Sequence, residues 1–352
     1  MPNDEKLYIS QVSDSTGDSP VLYAIKDAEA VHKTDEASYG DIYGLFSDLI
    51  VFIGTEPFTL KTSNGKLWNG TIEYSTDKTT WTEWDGSSGT EISSGTGNVL
   101  YLRGKNNTHI SATSSTTYSS FEFTTTGTIA CTGDIRTLLD YEDPENTTMD
   151  SYCYAYMFRN CRSLAVAPEL PATTLASGCY NNMFYNCTSL TNAPALPATT
   201  LASGCYAFMF QYCTSITTVP ELPATTLATE CYNNMFYNCT SLTNAPALPA
   251  TTLAGGCYNF MFYDCISLTT IPALPATTLA NSCYRYMFGG CRNIKLSATQ
   301  TGDYQTSYRI PTSETGTVGS GSLSNMFAST GGTFTGTPTI NATYYTSNTV
   351  VS

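Results

Sequence analysis

The stretch CYNNMFYNCTSLTNAPALPATTLASG, Cys179–Gly204, returns almost unchanged from Cys231. Its frame occurs six times. Cys153, Cys179, Cys205, Cys231, Cys257 and Cys283 stand 26 residues apart, and Cys161, Cys187, Cys213, Cys239, Cys265 and Cys291 each follow eight residues later. Between them run a tyrosine column, Tyr154 to Tyr284, and Met-Phe pairs from Met157-Phe158 to Met287-Phe288. After the second Cys the intact copies read S-[LI]-T-x-x-P-x-L-P-A-T-T-L-A. A fixed period without insertions makes each copy one coil of a solenoid. A single coil cannot bury its own Met, Phe and Leu, whereas stacked coils share a continuous core.

Within a coil, SLTNAPAL from Ser189 is expected to form a short strand with Leu190 and Leu196 pointing inward. Pro194 and Pro197 lack an N–H and are expected to fix an extended, polyproline-like corner. ASGCYNNMFYNC suits a helical turn or 3₁₀ segment, with the four-residue spacing of Cys205, Met209 and Cys213 marking one face in the next copy. Stacking at the strand spacing of ~4.8 Å would make the six coils roughly 29 Å long.

The run M-F-x-x-C-x-S-L-T followed by a proline resembles the core of the BspA-type leucine-rich repeats, whose coils are usually shorter; the extra residues here fall in LPATTLASG. With its flanks the resemblance covers about residues 129–340. TIACTGDIRTLLD (Thr128–Asp140) is similar to the N-terminal cap of such arrays, and NMFASTGGTFTG (Asn325–Gly336) to a degenerate last coil. GSGS at Gly319–Ser322 reads as a flexible connector.

Of 13 cysteines, only Cys131 stands outside the repeat. The C-x7-C spacing does not match zinc knuckles, and His32 and His109 both lie outside the array. Buried packing thiols are the first reading, with disulfides second and a metal third. No metal or other cofactor is expected.

The net charge of −14 is carried by the front of the chain. Residues 1–150 hold 23 Asp/Glu against 9 Lys/Arg, and residues 151–352 hold 6 of each sign. That balance argues against a nucleic-acid partner. The longest apolar run, Leu49–Ile53, is too short to insert in a membrane. MPNDEKLYIS lacks the pattern of a secretory leader, so the expectation is a chain made in a cytoplasm that stays there or leaves by another route, such as assembly into a particle.

Residues 49–127 alternate as short strands, among them TIEYSTDKTTWTEW (Thr71–Trp84), NVLYLRGKN (Asn98–Asn106) and SSFEFTTTG (Ser119–Gly127). These predict a small immunoglobulin-like β-sandwich, with Trp68, Trp81 and Trp84 as core anchors or one of them exposed. This segment resembles a domain found ahead of such repeats in gut Bacteroidales proteins and their phages. The expected organisation is mostly β: an arm with a short helix over 1–48, the sandwich over 49–127, a cap over 128–152, six coils over 153–296, and a C-terminal cap and tail over 297–352.

KLYISQVSDSTGDSPVLYAIKDAEA (Lys6–Ala30) resembles segments near the start of tailed-phage fibre and head-fibre proteins. The resemblance implies attachment to other virion proteins through Leu7, Tyr8, Ile9, Tyr23, Ile25, Lys26 and Asp27, with a homotrimer suggested by such fibres. The arm would be extended over Leu7–Leu22, with a helix from near Lys26.

No nucleophile–His–acid set and no phosphate loop is legible, so a non-enzymatic role is expected. Candidates for ligand contact are positions that vary between otherwise constant coils: Tyr156, Asn182, Phe208, Asn234, Phe260 and Tyr286, and also Tyr185, Tyr212, Tyr237 and Tyr263. Aromatic faces and Asn amides suit sugar rings and hydroxyls, or a protein partner. The plainer alternative is an unconstrained outward face. The leading expectation is a phage fibre or head-fibre subunit on the virion surface, binding a bacterial glycan or mucin. The alternatives are a bacterial cell-surface adhesin and a purely structural capsid decoration protein.

Overall fold

The computed structural model describes residues 7–12, 21–26, 49–347 and 350–351, the first two segments and the last as backbone alone. Strands β1 (Leu7–Val12) and β2 (Val21–Lys26) pair antiparallel, with Leu7 opposite Lys26, Tyr8 opposite Ile25 and Ser10 opposite Tyr23. The expected extended arm thus contains two paired strands, and Lys26 lies in a strand instead of opening a helix. Asp27 and any helix beyond it lie outside the described residues.

The sandwich is built from β3 (Ile50–Gly54), β4 (Thr59–Thr62), β5 (Thr71–Ser75), β6 (Thr82–Glu83), β7 (Ile92–Ser93), β8 (Val99–Lys105), β9 (Phe121–Thr124) and β10 (Ile129–Thr132). β11 (Leu164–Val166) joins them from the first coil, giving a six-stranded sheet in the order β11-β10-β3-β8-β5-β6 and a three-stranded sheet β7-β4-β9. Phe52, Leu60, Ile72, Leu102 and Phe121 fill the space between the sheets, as alternating burial on facing sheets requires. Trp68 and Trp84 sit in this core, their rings 5.2 Å apart. Trp81 lies on the other face, under the Arg103 guanidinium at 4.0 Å.

β10 pairs antiparallel with β3 and parallel with β11. One sheet therefore runs from sandwich into solenoid, and one hydrophobic core extends from Ile50 to Tyr344.

In each coil the backbone N–H groups alternate between two kinds of acceptor. In the second, the N–H groups of Cys179, Asn181, Met183, Tyr185 and Cys187 bond to carbonyls three residues back at 3.0–3.3 Å, closing successive β-turns. Those of Gly178, Tyr180, Asn182, Phe184 and Asn186 bond to the next coil, on Ser203, Cys205, Ala207, Met209 and Gln211, at 2.8–3.0 Å. Every fourth residue is left-handed, here Gly178, Asn182 and Asn186 with φ of 61, 56 and 60°. Two side chains then point inward and the next two outward. Cys179-Tyr180 and Met183-Phe184 are buried, while Asn181-Asn182 and Tyr185-Asn186 are half-exposed.

The expected helical turn is therefore a ribbon of linked turns. A helix would have used its donors internally and left none for the neighbouring coil. The expected strand at Ser189–Leu196 is also absent. That side is joined by isolated bridges, such as Asn192 to Thr218 and Thr174 to Thr200, because Pro194 and Pro197 cannot donate. Leu190 and Leu196 do point inward.

The buried rings form two ladders. Tyr154 to Tyr284 stack at 5.6–5.8 Å, and Phe158 to Phe288 at 5.5–5.7 Å, with planes within 13° of parallel. These steps exceed the ~4.8 Å between hydrogen-bonded strands, so the ladders do not keep the strand spacing expected for the coils.

All thirteen cysteines are free and buried. Each thiol of the second column donates to a Phe carbonyl, Cys161 to Phe121 of β9 and the others to the preceding turn ribbon: Cys187 to Phe158, Cys213 to Phe184, Cys239 to Phe210, Cys265 to Phe236 and Cys291 to Phe262, at 2.9–3.2 Å. Cys at this column is small enough for the core and still satisfies a buried acceptor.

Both ends of the ribbon are closed. At the front, the N–H groups of Ile110 and Phe121 and the Ser111 hydroxyl take the first coil's carbonyls on Cys153, Met157 and Ala155. At the back, GSGS is no connector. Ser320, Ser322, Ser324, Met326 and Ala328 accept the N–H groups of Ser282, Tyr284, Tyr286, Phe288 and Gly290, making a seventh ribbon. Phe327 extends the Phe ladder at 5.6 Å. The Asn325 and Phe327 N–H groups then end on the Thr337 hydroxyl and the Gly336 carbonyl, so no ribbon edge at these positions is left to recruit another chain.

Burial pushes the thiols up, those of Cys205, Cys213, Cys257 and Cys265 to about 12. In the unfolded chain the same thiols ionise near 8.5. Between these limits the folded state holds more protons than the unfolded state, so stability falls as pH rises. The denaturant midpoint is expected to lose its thiol contribution progressively from about pH 8.5 toward 12. Alkylation at pH 8 should leave the ladder thiols unmodified in the native protein and label all of them after denaturation, read by intact mass.

Candidate functional site

The ribbon supplies three left-handed columns, and their occupants differ. The first is Tyr152, Gly178, Gly204, Glu230, Gly256, Ser282 and Gly321. The third is Asn160, Asn186, Tyr212, Asn238, Asp264, Gly290 and Ser329. These are mostly the residue types that tolerate positive φ at least cost. The middle column reads Tyr156, Asn182, Phe208, Asn234, Phe260, Tyr286 and Asn325, with φ between 53 and 62°. Four of its positions hold bulky rings in a conformation that disfavours them by roughly 1–2 kcal/mol each.

These rings and the neighbouring outward tyrosines form a half-exposed belt along the solenoid. Tyr185 meets Tyr212 edge-on at 5.5 Å, Tyr212 meets Tyr237 at 5.6 Å, and Tyr237 stacks on Tyr263 at 5.0 Å. Tyr263 touches Phe260 at 5.4 Å and Tyr286 at 6.0 Å, and Phe260 stacks on Tyr286 at 4.8 Å. Beyond Tyr185 the belt continues through the Arg159 guanidinium, 4.9 Å from the Tyr185 ring and 5.7 Å from the ring of Tyr118. Tyr118, contributed by the sandwich, stacks on Tyr156 at 4.1 Å. At the far end Arg285 lies 5.5 Å from Tyr286, whose hydroxyl accepts from the Asn325 amide at 2.8 Å.

Six of the ten candidate residues thus meet in one continuous strip, and Tyr156 joins it as a seventh through Tyr118. Phe208 has no ring contact among the described residues, and its middle-column neighbours are Asn182 and Asn234. The amides of Asn182 and Asn234 donate to the side chains of Asn181 and Asn233. The backbone positions of Leu7, Tyr8, Ile9, Tyr23, Ile25 and Lys26 lie in β1 and β2. Tyr118 was missed because no periodicity ties the sandwich to the repeat. Arg159 occupies the variable position held by Tyr185, Tyr237 and Tyr263 in other coils, and Arg285 precedes Tyr286 in the other variable pair, so their signal was present in the sequence.

Burial raises the phenols of Tyr156, Tyr237 and Tyr263 above their ordinary value, with neighbouring tyrosines adding to it. They are neutral hydrogen-bonding groups at ordinary pH. Asp264 is also raised by burial, with Arg292 opposing. The belt presents flat apolar faces edged by neutral hydroxyls and amides, a surface chemistry that stacks on rings and bonds to hydroxyl groups.

Residues 151–295 match the family model of the BspA type leucine rich repeat region, in six copies. This segment is a leucine-rich-repeat array of that type. Comparison of the chain with curated proteins and with solved structures gave no match.

Phe208→Asn places a residue tolerant of positive φ in the middle column and removes no ring stack. It is expected to raise stability by about 1 kcal/mol, measured by denaturant unfolding. Phe260→Asn should gain less, because the lost stack with Tyr286 offsets about 0.5–1.5 kcal/mol.

Proposed function

We propose that this protein is a non-enzymatic surface protein whose solenoid binds glycan along the aromatic belt. The observation that carries the reading is the middle column: four large rings in left-handed backbone, where Asn or Gly would cost less and the core needs none of them. Residues held against their conformational preference point to a role outside folding. The family match supports a repeat protein of the surface-adhesin type. Each of the six coils contributes at least one outward ring, though not always from the same position, so a chain of sugar units would meet a ring at each step. Many copies on one particle or cell would multiply a weak single-chain affinity.

The resemblance of Lys6–Ala30 to phage fibre and head-fibre segments favours a virion as the carrier, with residues 1–48 as the attachment segment and a trimer as the assembly. The family match favours the second reading, a bacterial cell-surface adhesin. Mass spectrometry of purified particles and of cell envelopes separates them. Stoichiometric recovery in particles is expected, and recovery only in envelopes would leave the adhesin.

Binding is tested on an array of mucin and bacterial-surface glycans with the full chain and the variant Tyr212→Asn, Tyr237→Ser, Tyr263→Ser. At about 1 kcal/mol per ring, three lost contacts are expected to weaken binding on the order of a hundredfold. Far-UV circular dichroism should not change, because the core ladders are untouched. Failure of the unmodified protein to bind any glycan would leave a purely structural decoration protein.

A further inference from the structure

The belt ends at the junction of sandwich and solenoid in an open groove of about 550 Å³. The sandwich contributes Lys61, Tyr118 and Glu122 to its wall, and the first coil contributes Arg159 and Arg162. Three cations thus face one groove in a protein whose net charge is −14. Lys61 is engaged by Glu91 at 3.6 Å and Glu122 at 4.0 Å. Neither arginine has a carboxylate partner among the described residues.

Arg159 is held in place without being satisfied. Its guanidinium packs against the Tyr118 and Tyr185 rings, and one terminal nitrogen donates to the Tyr118 hydroxyl at 3.4 Å. Its Nε is buried and has no hydrogen-bond partner among the described residues. That nitrogen is closed off from the groove, so an anion there would meet the terminal nitrogens, and carboxylate and sulfate oxygens match paired N–H donors of this kind. Arg162 stands exposed in the same wall.

We infer that this groove binds an anionic sugar, a residue bearing a carboxylate or a sulfate ester, at one end of a glycan whose neutral units lie on the belt. The inference rests on the glycan reading above and adds the charge class of the ligand. The belt supplies stacking affinity that does not depend on charge, and the two arginines select for acid at one end. No bond is made or broken.

The test compares the full chain on three matched probes: a neutral mucin-type oligosaccharide, its sialylated form and its sulfated form. The acidic forms are expected to bind at least about tenfold more tightly than the neutral one. That margin should shrink between about 50 and 500 mM salt, as screened charge requires. The sialylated and sulfated arms distinguish carboxylate from sulfate as the preferred group. Arg162→Gln alters an exposed side chain and should reduce the margin several-fold with folding unchanged. Arg159→Gln combined with Arg162→Gln should abolish the margin, with acidic and neutral probes then binding equally even where loss of Arg159 from the belt weakens both. Equal binding of acidic and neutral probes by the unmodified protein would overturn the inference and leave the belt reading intact. A margin that survives the double substitution would also overturn it, because the acid would then be read elsewhere. Absence of binding to all three would remove both.

Discussion

The solenoid depends on a division of labour among backbone donors. Alternate N–H groups close a turn within the coil, and those between them reach the next coil. The alternation requires a left-handed residue every fourth position, and that backbone sets which side chains face in. Core and surface are thus decided by one constraint. Cys, Tyr, Met and Phe fall inward as pairs, and the pairs between them fall outward. The thiol column completes the arrangement. The Phe158 carbonyl accepts the Cys161 N–H within its own coil and the Cys187 thiol from the next, so both its lone pairs are used.

The same constraint sorts the surface. First-column positions are mostly Gly, and third-column positions mostly Asn, Asp or Gly, as left-handed backbone favours. The middle column departs from this at Tyr156, Phe208, Phe260 and Tyr286. Stacking recovers part of the cost where Phe260 meets Tyr286 and where Tyr156 meets Tyr118. Phe208 has no such compensation among the described residues. Array stability and surface chemistry therefore compete at identifiable positions.

Much of the array was legible because identical spacing means identical environment. The period, the core columns, the inward Leu190 and Leu196 and the outward variable pairs follow from it. The backbone conformation was not legible. A four-residue spacing of Cys205, Met209 and Cys213 fits a helical face and a turn ribbon equally well, and only the destination of the N–H groups separates them. The strand expected at Ser189–Leu196 failed because alternating side chains do not supply the donors that Pro194 and Pro197 lack. The seventh ribbon was legible only in part, through the Met326-Phe327 pair of the degenerate last coil expected from Asn325, and its start was hidden twice over. Ser322 follows Cys283 by 39 residues, 13 more than the period of 26, and Ser322 and Thr330 occupy the two cysteine columns. At the binding surface, ring positions could be read as variable sites within the repeat. Tyr118 could not, because the β10–β11 pairing and the bonds of Ile110, Ser111 and Phe121 that bring the sandwich beside the first coil leave no periodic mark in the sequence.

The donor register between coils has a genetic consequence. Every coil offers its successor the same row of N–H groups and accepts the same row from its predecessor. A block of 26 residues removed or duplicated in frame leaves that register unbroken. Cys179–Gly204 and Cys231–Gly256 differ only at Ser203 and Gly255, so their coding sequences are natural partners for unequal recombination. The length of the aromatic belt is thus a trait that can change by whole coils, between two fixed caps, without any new packing problem to solve.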